Sequence, residues 1–275
     1  MGAQVLISRW VATWTWAATW GRPYFVNRAI KELLLGNIVE QIESGTVEKA
    51  REIGELLEQE YGRPAPRKRL SPLDELILTI LSQHTSDMNS DRAFAALKER
   101  FPSWEAVRDA RVDEIADAIK SGGLARMKAP RIKDLLLHLH VERGSLDLDF
   151  LHGMGLEEGR SYLLNLGGVG PKTAACVLLF SCGKPAFPVD THVHRVARRL
   201  GLIGATTTAD EAHRLLEAMV PPDEVYTFHV NLITHGRRIC KSQRPLCEQC
   251  VLAPKCDFFA TNRIENESKA EARSR

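Results

Sequence analysis

LGGVGPKTA fills residues 166–174 and runs on into the apolar CVLLF of residues 176–180 and then Gly183. Gly168 and Gly170 let the backbone turn tightly and approach another backbone closely. Pro171 suits the first position of a helix, where its missing N–H is not needed. The helix that it opens has free N–H groups and the positive end of a dipole, a ready seat for a phosphate oxygen. Apolar spacing predicts a further helix over 156–165, immediately before the turn. Together these segments read as helix–hairpin–helix, a module that grips nucleic-acid backbone without reading bases. A glycine-rich turn can also be a plain connector between two helices.

Lys172 distinguishes the two readings. It stands second in the new helix, where the dipole opposes a positive charge and acids are the usual choice. An amine held there is a better nucleophile near neutral pH, although a lysine that simply meets phosphate would also fit. Eighteen residues later comes PVDTHVHRVARRLG, residues 188–201. Asp190 is a good N-cap, Val193, Val196, Ala197 and Leu200 make a buried stripe, and Gly201 closes the helix. Asp190 is thus either a cap alone or a cap that also serves as a base. Arg195, Arg198 and Arg199 fall on or near the outward face.

Working further outward, Cys240, Cys247, Cys250 and Cys256 form C-x6-C-x2-C-x5-C, four of the chain's six cysteines. Structural zinc sites with four cysteines pair two short C-x2-C knuckles, and here there is one. A [4Fe–4S] cluster takes four thiolates at other spacings, and disulfides are the third alternative. Arg237, Arg238, Lys241, Arg244 and Lys255 surround these cysteines, so the loop presents cations outward. Cys176 and Cys182, after the hairpin, read as ordinary shielded thiols.

The rest of the chain is patterned as helices. Segments 47–60, 91–100, 113–120, 129–140 and 209–219 carry the spacing, and Ser71-Pro72 opens another in which Leu73, Leu76, Ile77, Ile80 and Leu81 recur. In 47–60, Ile53, Leu56 and Leu57 share one side. The fold class read from this is all-α, with short loops and no internal repeat. At 275 residues, 44% hydrophobic and 26% charged, the chain excludes collagen-like, wholly disordered and disulfide-dense classes. No apolar run reaches the roughly 18–20 residues that cross a bilayer. Residues 120–200 hold 12 basic and 7 acidic groups, net +5, and 237–256 hold 5 and 1, net +4. Residues 201–236, with 1 and 5, are net −4. Both basic blocks contain the motifs above, which makes a polyanion a reasonable partner. Residues 1–45 differ: they hold Trp10, Trp14, Trp16 and Trp20, no acid before Glu32, and no clean cleavage signal. They read as a poorly ordered extension.

In the hairpin with Lys172, VDTH with Asp190, and the four-cysteine loop, the chain resembles endonuclease III, a helix–hairpin–helix DNA glycosylase and abasic-site lyase, over roughly 46–260. The resemblance implies two helical domains flanking a DNA-binding cleft. One, at 73–184, would be a six-helix barrel ending in the hairpin; the other would join 46–72 to 185–260 with a [4Fe–4S] cluster on the four cysteines, leaving 261–275 as a tail. It further implies that Lys172 attacks C1′ of a damaged nucleotide, displaces the base and forms a Schiff base, that Asp190 activates the amine, and that β-elimination then cuts 3′ to the lesion. Gly168, Gly170, Arg195, Arg237, Arg238, Lys241 and Arg244 would touch the DNA backbone. Leu124, and Gln83 or His84, would fill the gap left by the everted base. The sequence departs from the family pattern at His84, where glutamine is usual, at Gly167 in place of proline, and at Pro171 in place of a polar residue.

The implied partner is double-stranded DNA containing oxidised pyrimidines or abasic sites, bound by a monomer with no membrane association. The expected location is the bacterial cytoplasm with its nucleoid, or a eukaryotic nucleus or mitochondrion. Two rivals differ in detail. A monofunctional mismatch or adenine glycosylase normally has serine or tyrosine at the position of Lys172 and a further C-terminal domain. A non-catalytic helix–hairpin–helix protein needs neither Lys172 nor Asp190.

Overall fold

α-Helices follow one another through the computed structural model, which describes residues 44–264, and no strand occurs among the described residues. The Trp-rich segment lies outside them. The first helix, α1 (Ser44–Tyr61), precedes an extended stretch that Pro64 and Pro66 keep from continuing helically. Ser71 then caps α2 (Pro72–Ser82) by accepting from Asp74 N at 3.2 Å, with Pro72 at the first position. The chain continues through α3 (Asp87–Arg100), α4 (Trp104–Asp109), α5 (Val112–Ala118), α6 (Ala125–Arg143) and α7 (Leu156–Asn165). After the hairpin come α8 (Pro171–Cys176), α9 (Thr191–Leu200), α10 (Ala209–Met219) and α11 (Val225–Arg238). A short helical stretch covers 257–264, so the expected tail is helical at its beginning.

Two buried clusters organise these helices. The first takes apolar residues from α2 to the end of the hairpin, from Leu73 to Ala186, with Leu76, Ile77, Leu97, Ile132 and Leu163 wholly buried. The helix α2 is buried on nearly every side, which is the signature of a central helix. The second cluster joins Ala50, Ile53 and Leu57 of α1 to Phe187, Val193, Val196, Leu216, Leu232 and Leu252. Leu56 sits at its edge and is only half-buried, because α1 turns that side toward solvent.

The tail of the hairpin helix passes between the clusters. Val177–Ser181 widens into a π-helical turn, with Cys182 N–H bonded to the Val177 carbonyl at 3.2 Å. Leu178 packs into the first cluster and Leu179 into the second. Polar links cross the same seam: Arg160 donates to Glu217 at 2.5 Å, and Glu217 accepts from Phe187 N at 2.9 Å. The cleft opens along this seam.

Candidate active site

Hairpin geometry fixes where Lys172 points from. Gly168 has φ 81°, a left-handed conformation that glycine adopts without a Cβ penalty, and Val169 N–H closes the turn onto Leu166 O at 3.1 Å. Val169 is buried and anchors the turn, leaving Gly167 and Gly168 exposed at its tip. Gly170 is the N-cap residue of α8 with Pro171 first and Lys172 second, as the sequence predicts.

Asp190 caps α9: its Oδ1 accepts from Val193 N at 2.7 Å. Its Oδ2 takes no hydrogen bond from a described residue. The capping role read from the sequence is real, and it leaves one carboxylate oxygen for other work. Lys172 and Asp190 both line a single cleft of about 420 Å³. Its other walls come from α2, α3 and α11.

Several residues here were not singled out in the sequence. Glu75 and Thr79 of α2, His229 of α11, Phe180 of the π turn and Arg67 of the extended stretch all line the cleft, beside the expected Arg237. Glu75 stands in the largely apolar helix α2, and an acid within that run was the available signal. The two buried side-chain polar atoms without a partner among the described residues are Glu75 Oε2 and His229 Nδ1, both from this cleft. Burial raises the pKa of Glu75 against the opposing pull of Arg67, and burial pushes His229 down to about 4. Cys176, also on the wall, is pushed up to about 12 by burial and remains a thiol.

Two loops stand at the first core's edge. His84 (φ 55°) is exposed after α2, next to half-buried Gln83, and Leu124 (φ 50°) is 49% exposed before α6. Neither is glycine, and non-glycine residues in this left-handed region concentrate at binding sites. Lys128, only 2% exposed, ties the loops together by donating to Leu81 O at 2.6 Å and Gly122 O at 2.8 Å.

The basic residues divide into two sets. Arg238, Lys241 and Arg244 are exposed, the last at φ 49°. Arg237 pairs with Asp87 of α3 at 2.8 Å across the cleft mouth. Arg195, predicted to meet DNA, instead turns inward: it donates to Cys240 O at 3.0 Å and Gly236 O at 2.9 Å. The reason is close packing, since a Cβ at Gly236 would lie 3.1 Å from His192 Cβ, so α9 and α11 bring Arg195 over the last turn of α11. Arg199 does likewise, donating to Lys241 O at 2.7 Å and to Cys240 Sγ at 3.3 Å. Lys255 is held by Glu52 at 2.6 Å.

All four predicted cysteines line one recess beneath this loop. Burial, reinforced by the neighbouring thiols, pushes Cys250 up to about 11 and also raises Cys247 and Cys256. Neighbouring thiols of this kind ionise together only around a strong cation. Among the described residues no three His, Cys, Asp or Glu side chains converge tightly enough for a single ion. Four cysteines lining one recess are a donor set that an iron–sulfur cluster can use. His235, pushed down to about 4 by burial, rests its Nε2 3.5 Å from Cys250 Sγ and its Nδ1 3.0 Å from Tyr61 OH.

Comparison with known proteins adds an independent line. Residues 77–222 match the family model of the HhH-GPD superfamily base excision DNA repair proteins. A putative DNA glycosylase of Arabidopsis thaliana is 42% identical over 185 residues, which are 67% of this chain and 61% of that protein. Endonuclease III of Thermotoga maritima is 38% identical over 77% of this chain and 92% of its own length. A solved complex of endonuclease III with DNA, non-covalently bound, superposes with a TM-score of 0.68 at 27% identity, covering 79% of this chain and 98% of the other.

Proposed function

The chain belongs to the endonuclease III family within the HhH-GPD superfamily of base excision DNA repair proteins, and from that premise we propose that it releases oxidised pyrimidines from duplex DNA and then cleaves the strand as an abasic-site lyase. The observation carrying this reading is that Lys172 at the start of α8 and Asp190 at the start of α9 share one cleft. A monofunctional glycosylase or a passive DNA-binding module has no use for that pairing.

The residues divide the chemistry as follows. The damaged nucleotide leaves the stack at a cost of a few kcal/mol, which is smaller where pairing is already weak. Leu124, with His84 or Gln83, fills the gap. Lys172 Nζ, as the free amine, attacks C1′ while the bond from C1′ to the base nitrogen breaks and the base departs with its electron pair. Asp190 Oδ2 offsets the positive charge that develops on the sugar and receives the proton that the amine sheds. Ring opening gives the imine, and loss of a C2′ proton expels the 3′ phosphate. Hairpin amides at Gly168 and Gly170 hold the strand through neutral donors, while Arg238, Lys241 and Arg244 supply charge.

Cys240, Cys247, Cys250 and Cys256 would hold a [4Fe–4S] cluster, whose contribution when bound is to fix the loop carrying Lys241 and Arg244. Borohydride reduction on lesion-containing duplex tests the proposal, because it converts the imine to a stable amine and leaves enzyme covalently attached. Wild type should be trapped and Lys172→Gln should not. Strand cleavage by Lys172→Gln at the wild-type rate would remove Lys172 from this role.

A further inference from the structure

Glu75 is 2% exposed, yet one of its carboxylate oxygens is unused. Its Oε1 accepts from Arg67 and from Thr79 Oγ1 at 3.4 Å, while Oε2 has no partner. The side chain stands on α2 among Leu73, Leu76, Ile77 and Ile80, where an apolar residue would pack without leaving an acceptor open. Arg67 does not let it turn away: the guanidinium is ion-paired to the carboxylate and lies 4.1 Å over the Phe180 ring. Glu75, Arg67, Thr79 and Phe180 all line the cleft that contains Lys172. A fixed acceptor beside a fixed donor, against an aromatic ring, is the complement of a planar heterocycle whose edge alternates N–H with C=O.

We propose that Glu75 is a specificity-determining residue that accepts a hydrogen bond from the ring N–H of the everted base, with Arg67 donating to the adjacent carbonyl. The class of base selected is the uracil- and thymine-derived pyrimidines and their saturated or oxidised products, which carry N3–H between two carbonyls. This rests on the glycosylase reading above and extends it to the base edge that is read.

The test compares excision of 5,6-dihydrouracil and of its N3-methyl derivative by wild type, Glu75→Leu and Glu75→Gln, each rate normalised to that protein's own cleavage at a preformed abasic site. Normalisation removes any general loss of fold or of Lys172 chemistry, and the methyl group's effect on base pairing is common to all three proteins. Wild type should discriminate against the methylated base by about 10- to 100-fold, the range for a hydrogen bond to a charged group. Glu75→Leu should discriminate less than about threefold, and Glu75→Gln should fall between. Equal discrimination by all three proteins overturns the proposal while leaving the glycosylase reading intact. Cleavage of abasic DNA by a wild type that releases neither base overturns both.

Discussion

Lys128 donates its ammonium to Leu81 O at 2.6 Å from a position that is 2% exposed, and the same nitrogen reaches Gly122 O at 2.8 Å. Leu81 leads into the His84 loop and Gly122 into the Leu124 loop. One buried charge thus sets the spacing of the two segments that would fill a gap in the duplex. Lys128→Met keeps the apolar stem and leaves two carbonyls unpaired, so it should cost about 2 kcal/mol or more. Urea denaturation should show the loss. Base release should fall further than cleavage of a preformed abasic site, and equal losses would separate Lys128 from loop spacing.

Asp190 both caps α9 and lines the cleft, and two substitutions separate these roles. Asn still caps, so Asp190→Asn should stay within a few tenths of a kcal/mol of wild type, whereas Asp190→Ala should lose about 1 kcal/mol. Both should lose base release. An Asp190→Asn protein with normal excision would reduce Asp190 to a cap.

Burial holds His229 neutral, with its pKa at about 4, against about 6.5 in an unfolded chain. Between these values the unfolded chain takes up a proton that the folded chain does not. This contribution is therefore complete above about pH 6.5 and is lost progressively as pH falls toward about 4. The His229→Leu protein should show a shallower fall in urea midpoint across that window, by up to about 1 kcal/mol per pH unit. Identical slopes would mean that His229 titrates normally in the fold.

The inward turn of Arg195 changes what its removal should do. Lys241→Ala, at an exposed cation, should flatten the dependence of log affinity on log salt by about 0.9. Arg195→Ala should leave that slope nearly unchanged but destabilise the protein, since the carbonyls of Cys240 and Gly236 lose their donor. Matching slope changes would return Arg195 to the DNA surface.

Iron content tests the recess. Purified protein should be brown with about four irons per chain, and serine at Cys247 or Cys250 should bleach it and lower its melting temperature. A colourless, active preparation with one zinc per chain would replace the cluster with a single ion.

Much of this was legible because local chemistry and tertiary context agreed. The helices at Leu156–Asn165 and Ala209–Met219 were expected at those boundaries, as were the cap at Asp190 and the buried stripe of Val193, Val196, Ala197 and Leu200. The helix Val225–Arg238 was not recognised, since VYTFHVNLITHG is rich in β-branched and aromatic residues that favour strands. Burial of Val225, Phe228 and Leu232 in the second core overrides that preference. Trp104–Asp109 was missed because six residues carry too little periodicity. At the site, Lys172 and the cysteines declared themselves by spacing. Glu75, Arg67 and His229 did not, because their meaning lies in a cleft assembled from distant segments.

The second core has a consequence for the order in which the chain is made. Ala50, Ile53 and Leu57 leave the ribosome early, yet the surfaces that cover them extend to Leu232 and Leu252. Contacts between Lys49 and Asp257 and between Lys255 and Glu52 close only after that. At about 5–20 residues per second, the apolar side of α1 waits roughly 10–40 s for its partners. The block from Leu73 to Ala186 has its whole core in sequence-adjacent helices and can settle during that interval. For this protein, α1 is made well before the helix that covers it and is among the last segments to be buried, and a nascent chain stalled before residue 225 would present α1 to the cell's chaperones.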